Sequence, residues 1–238
     1  MRYIIADIHG DLSGLKKIIK KTDMDLENDV LYIAGDVLDR GREGLQTLNY
    51  LAKYIKRKTV SIIKGNHELF CQNFLENKLP GERWSLYGGG YTLEEVLKLS
   101  QKERDELGAF LNCLPSYIEL DSSILGNTII THSGISSDWL VYNNQDKIDV
   151  KESIKLGMEM MGEFGFLVQD DIHFLGRNQM ERLDRYIICG HVPTFKLQEG
   201  NKILRTPYFM DIDCGAGYRK QGGMLACYCI DNDEVFYA

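Results

Sequence analysis

Acidic, amide and imidazole side chains stand where short apolar runs of this sequence end. Five runs rich in Ile, Val and Tyr stop in this way, within RYIIADIHG, VLYIAGD, VSIIKGNHE, NTIITHSG and YIICGH. The polar residues at these stops include Asp7, His9, Asp36, Asn66, His132 and His191. Carboxylates, imidazoles and an amide without a thiolate suit Mn, Fe or Zn in a catalytic site, and do not suit a closed structural zinc site. The sequence therefore predicts a metal centre built from strand ends.

The number of candidate ligands indicates more than one ion. Six side chains are too many for one catalytic ion that must keep positions open for water and substrate, but they suffice for two ions if one carboxylate is shared. Two ions about 3.5–4 Å apart can hold a phosphoryl group and activate water, so no serine or cysteine nucleophile is required. Gly35, Gly65 and Gly190 each precede a candidate ligand, and glycine there permits close backbone approach.

The first third of the chain alternates between predicted strands and helices. The strand-like runs RYIIAD, VLYIAGD and VSIIKG are followed by DLSGLKKIIKKT, EGLQTLNYLAKYIKR and HELFCQNFLEN, which follow a helical pattern. This order predicts neighbouring parallel strands in a sheet that is covered on both faces. Because ligands of open α/β sheets bind beyond the carboxyl ends of the strands, we expect the six side chains to meet there. One α/β domain over residues 1–238 is the simplest architecture.

The middle and the end of the chain predict helices and a hairpin. Two capping boxes, Thr92 with Glu95 and Ser100 with Glu103, would open consecutive helices, and a further helix is predicted over residues 149–164. Before the first of these helices, the three glycines of WSLYGGGYT mark a tight or adaptable loop. The DNDE turn between apolar runs near the C-terminus predicts a hairpin.

Composition and charge exclude several classes of protein. The 238 residues are 44% apolar and 26% charged, as in globular proteins. The net charge of −7 lacks the basic footprint of a general nucleic-acid binder, so we expect no nucleic-acid partner. No apolar stretch approaches the roughly 20 residues that span a bilayer, and no signal-peptide pattern opens the chain. We therefore expect no membrane partner and a cytoplasmic location. The six cysteines form no Cys-x-x-Cys pair and are expected to be reduced.

Five short motifs follow one another along the chain. They are DIHG at 7–10, GDVLDRG at 35–41, GNHE at 65–68, HSG at 132–134 and GH at 190–191. In order and approximate spacing this set resembles the phosphoprotein phosphatase family of binuclear metallophosphoesterases. WSLYGGGYTLEEV is also similar to a stretch of small bacterial and phage protein phosphatases and their diadenosine tetraphosphatase relatives. The resemblance implies an α/β metallophosphoesterase (calcineurin-like) fold, with a central β-sandwich of mixed sheets flanked by helices.

The resemblance also distributes the candidate ligands over two divalent metal ions. The first ion would be bound by Asp7 and His9, the second by Asn66, His132 and His191, and both would share Asp36. We expect manganese in both positions, with iron or zinc as alternatives.

Further positions would act on the substrate if the resemblance holds. His67, oriented by Asp39, would protonate the leaving alkoxide, and Arg40 would bind the substrate phosphate. The family's second phosphate-binding arginine usually follows an aromatic-rich stretch before the last histidine, and HFLGRNQ makes Arg177 the candidate here. This stretch has Leu-Gly where the family often has Trp. Tyr218, in CGAGYRKQGG, is expected near the pocket.

The motifs favour one function among three. We expect a serine/threonine phosphoprotein phosphatase that hydrolyses phosphomonoesters of proteins or small molecules by direct attack of a metal-bridging hydroxide. The alternative is symmetrical hydrolysis of diadenosine tetraphosphate, and the presence of Asp39 favours the phosphatase. A binding protein on an inactive scaffold would have lost ligands, whereas every core position is occupied. Residues 80–112 and 136–175 should rim the pocket and set specificity, and His173 should be a structural or surface histidine.

Overall fold

The computed structural model describes residues 1–169 and 171–238, within which ten short strands form two sheets. The strands are β1 (Arg2–Ile5), β2 (Val30–Ile33), β3 (Val60–Ile62), β4 (Tyr117–Ser122), β5 (Gly126–Thr131), β6 (Tyr186–Cys189), β7 (Leu204–Arg205), β8 (Phe209–Asp211), β9 (Ala226–Cys229) and β10 (Glu234–Tyr237). The first sheet has the order β10-β9-β1-β2-β3 and the second the order β4-β5-β6-β8-β7. Both sheets are mixed, because each contains parallel and antiparallel neighbours.

Helices connect these strands and cover the sheets. They are α1 (Leu12–Thr22), α2 (Gly44–Lys56), α3 (Asn66–Leu75), α4 (Gly81–Trp84), α5 (Gly90–Leu97), α6 (Gln101–Asn112), α7 (Val150–Leu167) and α8 (Arg177–Met180). The predicted β-α-β-α-β order is confirmed: β1 pairs with β2 and β2 with β3, in parallel. The predicted C-terminal hairpin is also confirmed, since β9 and β10 are antiparallel neighbours.

Alternation along the strands produces three buried layers, because successive side chains point to opposite faces of a sheet. Ile4 and Ile188 lie in the layer between the two sheets. Their neighbours point outwards: Ile5 packs in the layer under α1 and α2, and Ile187 packs in the layer under α7. The predicted sandwich of mixed sheets flanked by helices is therefore confirmed.

Register brings the carboxyl ends of the strands together. In the first sheet Ile5 is paired with Ile33, and Ile33 with Ile62. In the second sheet Ile130 is paired with Ile188 in parallel. All five candidate ligand segments leave their strands at these aligned ends, so the fold directs them to one region.

The middle of the chain differs from the predictions at one cap and one loop. Ser100 and Glu103 form the predicted capping box of α6. Thr92 does not cap a helix: α5 begins earlier, at Gly90, and the Thr92 hydroxyl accepts a hydrogen bond from the Asp39 backbone N–H at 3.0 Å. A tertiary hydrogen bond thus occupies the side chain that the sequence suggested as a cap. The predicted glycine loop is a distorted helical turn over Ser85–Gly89, in which Gly88 has φ +101°.

The remaining predictions concern α7, the cysteines and membranes. The helix expected over residues 149–164 is α7, which is capped by Asp149 and kinked at Gly162 with φ +67°. All six cysteines are free thiols. In the described part of the chain, no helix has both the length and the apolarity that crossing a membrane would need.

Candidate metal centre

The six predicted ligand residues lie just beyond five strands. Asp7 and His9 follow β1, Asp36 follows β2, Asn66 opens α3 after β3, His132 follows β5, and His191 follows β6. Five of the six are buried, and His191 is partly exposed. The structure therefore brings together every side chain that the sequence predicted as a ligand.

The backbone at several of these residues is unusual. Asp7, His9, Asp36 and His191 have φ of 51°, 48°, 54° and 76°, in the left-handed region. Side chains with a Cβ rarely adopt this region, at a cost of about 1–3 kcal/mol each, and the surrounding structure must hold them there. Such strain is typical of residues whose side-chain direction matters for function.

Asp36 lies between two groups of donor atoms. Its Oδ2 is 3.6 Å from His9 Nε2, and His9 Nε2 is 3.9 Å from Asp7 Oδ1. Its Oδ1 is 3.4 Å from His132 Nε2, in a group that also includes His191. One carboxylate therefore faces a separate donor group with each of its oxygens, which is the arrangement expected of a bridging ligand.

Backbone carbonyls fix the tautomers of two of the histidines. The Nδ1 atoms of His9 and His132 each lie 2.9 Å from a carbonyl oxygen, of Leu38 and Ala34 respectively. Because a carbonyl can only accept, each Nδ1 carries the proton and each Nε2 of the neutral ring presents a lone pair to the centre. Hydrogen bonds of this kind orient histidine ligands in metal sites.

Acceptor atoms face one another within both donor groups, and this arrangement shows whether a cation fits between them. His132 Nε2 is 2.9 Å from Asn66 Oδ1, which is also 3.0 Å from His191 Nδ1. In the other group, His9 Nε2 and Asp7 Oδ1 are buried and have no hydrogen-bond partner in the described structure. Buried acceptors facing one another are unfavourable, and a divalent cation within each group would turn this repulsion into coordination. The residues present thus fit two ions with N and O ligands.

Protonation also favours ligation. Burial lowers the pKa of His9, of His132 and of His191, the last to about 3, so all three imidazoles are neutral at pH 7. Burial acts against ionisation of Asp36, but at low pH, where they are protonated, His132 and three other histidines outweigh it and hold the pKa of its carboxyl below the ordinary value. Neutral imidazoles and an ionised carboxylate are the forms that bind metals.

His67 and Asp39 form a hydrogen-bonded pair beside the centre. His67 Nδ1 donates to Asp39 Oδ2 at 2.8 Å, and the same oxygen accepts from Trp84 Nε1 at 2.8 Å. Burial lowers the pKa of His67, but Asp36 and the bond to Asp39 outweigh it and raise the pKa above its ordinary value. The backbone N–H of His67 donates to Asp36 Oδ1, which ties this pair to the bridge. The structure thus places a histidine with an oriented ring next to the candidate centre.

Arg40 lies on the other side of His67. Its Nη2 is 3.2 Å from His67 Nε2, while its Nη1 is buried without a hydrogen-bond partner among the described residues. The Gly88 carbonyl accepts from the Arg40 backbone N–H at 2.9 Å, so the segment predicted to rim the pocket at residues 80–112 does reach it. In the second predicted rim segment, 136–175, the Val168 backbone forms a hydrogen bond with His191. Residue 170 of this segment lies outside the described residues.

Arg177 is the predicted site residue that the structure does not bring to the centre. Its side chain is 89% exposed and its Nε pairs with Glu181 Oε1 at 2.8 Å, one turn along the chain. The prediction came from chain order relative to the last histidine, but α8 turns the guanidinium into solvent.

Two buried carboxylates near the centre were missed. Glu68 accepts four backbone N–H groups, from Asp36, Val37, Leu38 and Gly65, at 2.7–3.1 Å. It therefore holds the loop that carries the bridging carboxylate against the start of α3. GNHE contains this glutamate, but the motif alone does not show which backbone groups its carboxylate binds.

Asp213 follows β8 in YFMDIDCG, a sixth apolar run that ends in an acid. Burial raises the pKa of Asp213 to about 7, and the negative charge of Asp211 adds to this effect. The Oδ2 atom of Asp213 has no hydrogen-bond partner among the described residues. Behind it, the side chain of His173 is 3% exposed, and its Nε2 lies 2.7 Å from Asp211 Oδ2. The imidazole is therefore not at the surface, and a structural role for His173 stays a prediction.

Gly190 is a position where the centre tolerates no side chain. A Cβ there would lie 2.0 Å from Asp7 Oδ2, which accepts the His191 backbone N–H. We expect Gly190→Ala to displace the Asp7 carboxylate and to weaken metal binding by about 10–100-fold, the usual cost of disturbing a ligand's support. Isothermal titration with Mn²⁺ measures this. Gly90→Ala is the matched control because its Cβ would meet nothing within 4 Å; equal affinities in the two variants would contradict the prediction.

Comparison with known proteins gives relatives named for two kinds of substrate, dinucleoside tetraphosphates and phosphoproteins. The chain is 30% identical over 162 residues to a symmetrical bis(5'-nucleosyl)-tetraphosphatase of Marinomonas sp., covering 68% of this chain and 54% of that protein. It is 28% identical over 239 residues to the asymmetrical bis(5'-nucleosyl)-tetraphosphatase PrpE of Geobacillus sp., covering 94% and 88%. It is 30% identical over 147 residues to serine/threonine-protein phosphatase 2 of Salmonella typhimurium, covering 62% and 64%.

The chain spans about half the length of the first curated relatives that it matches. Among solved structures, a protein serine/threonine phosphatase from Saccharomyces cerevisiae has the same fold, with a TM-score of 0.60 at 15% identity, covering 100% of this chain and 78% of that one. The family model described as calcineurin-like phosphoesterase matches residues 3–203. This family uses a binuclear metal centre, for which the two donor groups around Asp36 are the candidate ligands. Because the match covers most of the chain, the protein belongs to the calcineurin-like metallophosphoesterases, a family of hydrolases.

Proposed function

We propose that this metallophosphoesterase hydrolyses dinucleoside tetraphosphates. Hydrolysis of a phosphate ester is supported mainly by the position of Asp36 between two donor groups, beside Arg40 and the His67–Asp39 pair. The substrate class is supported by the names of the Marinomonas and Geobacillus relatives. These relatives favour this activity over the protein phosphatase that the sequence motifs alone favour.

In this proposal the two ions are held by the residues around Asp36. Asp7, His9 and Asp36 would bind one ion, and Asp36, Asn66, His132 and His191 the other. When bound, two divalent ions supply Lewis-acid stabilisation of phosphoryl oxygens and make water a stronger nucleophile. Manganese is our first choice, with iron or zinc as alternatives, because the donors are nitrogen and oxygen.

Arg40 would bind the scissile phosphate. Its buried Nη1 needs an acceptor, and a planar guanidinium matches two phosphate oxygens at once. A guanidinium can only donate, so its present contact requires a lone pair on His67 Nε2. When Arg40 turns to the substrate, that nitrogen is released to carry a proton.

His67 would then act as the general acid. Asp39 fixes its Nδ1–H, so a second proton on Nε2 faces the pocket, and the Asp39 carboxylate stabilises this charged form. Proton transfer of this kind typically contributes 10²–10⁴-fold in rate. A leaving nucleotide is a weaker base than an alkoxide and gains less from this proton.

That difference favours serine/threonine phosphomonoesters as a second candidate substrate. An oriented His67–Asp39 pair is most useful when the leaving group is a serine or threonine alkoxide, which cannot depart without a proton. The Salmonella relative named as a serine/threonine-protein phosphatase supports the same candidate.

A direct comparison of substrates tests the proposal. With Mn²⁺ supplied, we expect kcat/KM to be higher for diadenosine tetraphosphate than for a panel of phosphoserine and phosphothreonine peptides. Chromatography of the products then separates two modes of cleavage, since symmetrical hydrolysis gives two ADP whereas asymmetrical hydrolysis gives ATP and AMP. A higher kcat/KM on the peptides would reject the proposal in favour of the second candidate.

A further inference from the structure

A cavity of about 450 Å³ is lined in part by Arg40. Its wall includes His9, Arg40, Arg42, Tyr218 and Lys220. We call the part formed by Arg40, Arg42, Tyr218 and Lys220 the cationic cleft. The cavity adjoins the candidate centre directly, because His9 belongs to both.

The turn at Ala216–Gln221 builds one wall of the cationic cleft. A Cβ on Gly217 would lie 2.7 Å from His9 Cδ2 and 2.8 Å from Arg40 Cδ, so only glycine lets this turn pack so closely. The next residue, Tyr218, places its ring 4.7 Å from the Arg40 guanidinium. The Lys196 ammonium lies 5.5 Å from the same ring and adds a further positive charge.

The other wall carries Arg42, two residues beyond Arg40. Its guanidinium lies 4.7 Å from the Tyr91 ring and donates to the Tyr91 hydroxyl at 3.2 Å. These contacts hold an exposed arginine in place and leave its charge uncompensated. Tyr91 in turn belongs to α5, whose Thr92 bonds the Asp39 backbone, so this wall is tied to the catalytic segment.

Apart from Arg219, the cations that line the cavity form no ion pair with the described residues. The one carboxylate among the described lining residues, Asp11, is already paired with Arg219. Within the described structure, Arg40, Arg42, Lys196 and Lys220 take part in none of the ion pairs. On a chain of net charge −7, three such cations lining one cavity, with Lys196 beside its Tyr218 wall, favour a polyanionic ligand.

A monophosphate ester would leave most of these charges unused. It carries one phosphoryl group, which Arg40 and ions held by the two candidate donor groups would suffice to bind. A tetraphosphate chain carries further phosphates on the side of the scissile one, each with oxygens that accept charge-assisted hydrogen bonds. The buried, unpartnered Nη1 of Arg40 marks the point where the cleft meets the scissile position.

We propose that the cationic cleft binds the phosphates adjoining the scissile one, and so sets a preference for polyphosphate substrates over monoesters. This inference rests on the proposed function for its natural ligand. It assigns Arg42 and Lys220 to substrate discrimination, with Tyr218 orienting Arg40 from its ring face.

The test is the double variant Arg42→Ala/Lys220→Ala of the full chain. The readout is the ratio of kcat/KM for diadenosine tetraphosphate to kcat/KM for para-nitrophenyl phosphate. We expect this ratio to fall about tenfold or more, since two charge-assisted contacts are lost only with the longer substrate. Arg57→Ala/Lys102→Ala removes the same charge from exposed positions on other elements and should leave the ratio unchanged. A ratio within twofold of the wild type overturns the proposal.

A second measurement separates this inference from the proposed function. If diadenosine tetraphosphate is not hydrolysed at all, inorganic tripolyphosphate can still be tested as an inhibitor of para-nitrophenyl phosphate turnover, beside inorganic phosphate. The double variant should then raise Ki for tripolyphosphate about tenfold relative to Ki for phosphate. Equal changes in the two constants would reject the cleft as a polyphosphate site whatever the natural substrate is.

Discussion

Replacing His67 with asparagine should lower kcat on a phosphoserine peptide by about 10²–10⁴-fold while both metal ions stay bound. The loss is expected because His67 Nε2 faces the pocket and Nδ1 is fixed by Asp39 at 2.8 Å, so no other oriented acid replaces it. Asparagine is close in shape and keeps the backbone N–H that donates to Asp36 Oδ1. Metal content by plasma mass spectrometry and steady-state kinetics measure the two halves of this result.

The leaving group supplies the control for His67. Para-nitrophenolate departs without a proton, so His67→Asn should lose much less turnover on para-nitrophenyl phosphate than on the peptide. Asp39→Asn should give a smaller loss on the peptide, since it disturbs the orientation of the ring and not its presence. A uniform loss on both substrates would mean that His67 acts on binding or structure, and near-normal peptide turnover would remove it as the acid.

Asp36→Asn should have the other large effect, on metal binding itself. The carboxylate faces His9 at 3.6 Å and His132 at 3.4 Å with different oxygens, so its loss weakens both donor groups together. We expect affinity for Mn²⁺ to fall by more than the roughly 10–100-fold that loss of a supporting residue costs, with fewer than two ions bound. Activity on every phosphate ester should fall with it.

Thermal unfolding with and without metal measures this without relying on activity. A ligand at about 100 times its Kd stabilises the folded state by roughly 2.7 kcal/mol, so Mn²⁺ should raise the Tm of the wild type clearly and that of Asp36→Asn little. The exposed Asp121→Asn provides the matched loss of one carboxylate. Unchanged stoichiometry and an unchanged Tm shift in Asp36→Asn would contradict the bridging role.

The prediction for Arg177 shows that sequence order alone does not determine which side chains reach the site. Its prediction used only its place before the last histidine. The structure turns it outward to Glu181, whereas Arg42 and Lys220, from distant parts of the sequence, border the cavity beside Arg40. Which cations border this cavity depends on how the turns after β2 and β8 fold over the centre, and no local pattern specifies that.

The sequence by itself determined the parallel β1-β2-β3 unit and the six converging side chains. Both follow from local information: apolar runs of strand length, helical spacing between them, and polar residues at the strand ends, which a parallel sheet must place at one edge. The residue types at those ends also specified a nitrogen and oxygen site for metal.

Only the tertiary structure decided how that site is supported. Glu68 accepts from three of its four N–H donors across thirty or more residues of chain. The Asp39 backbone N–H donates to Thr92 of α5, and Tyr218 reaches Arg40 from the far end of the sequence. These contacts depend on loop conformation and on the packing of two sheets, since hydrogen bonds between distant segments form only where the whole fold brings donor and acceptor within about 3 Å. The residue types therefore indicate the chemistry, whereas the tertiary fold determines the geometry of the site.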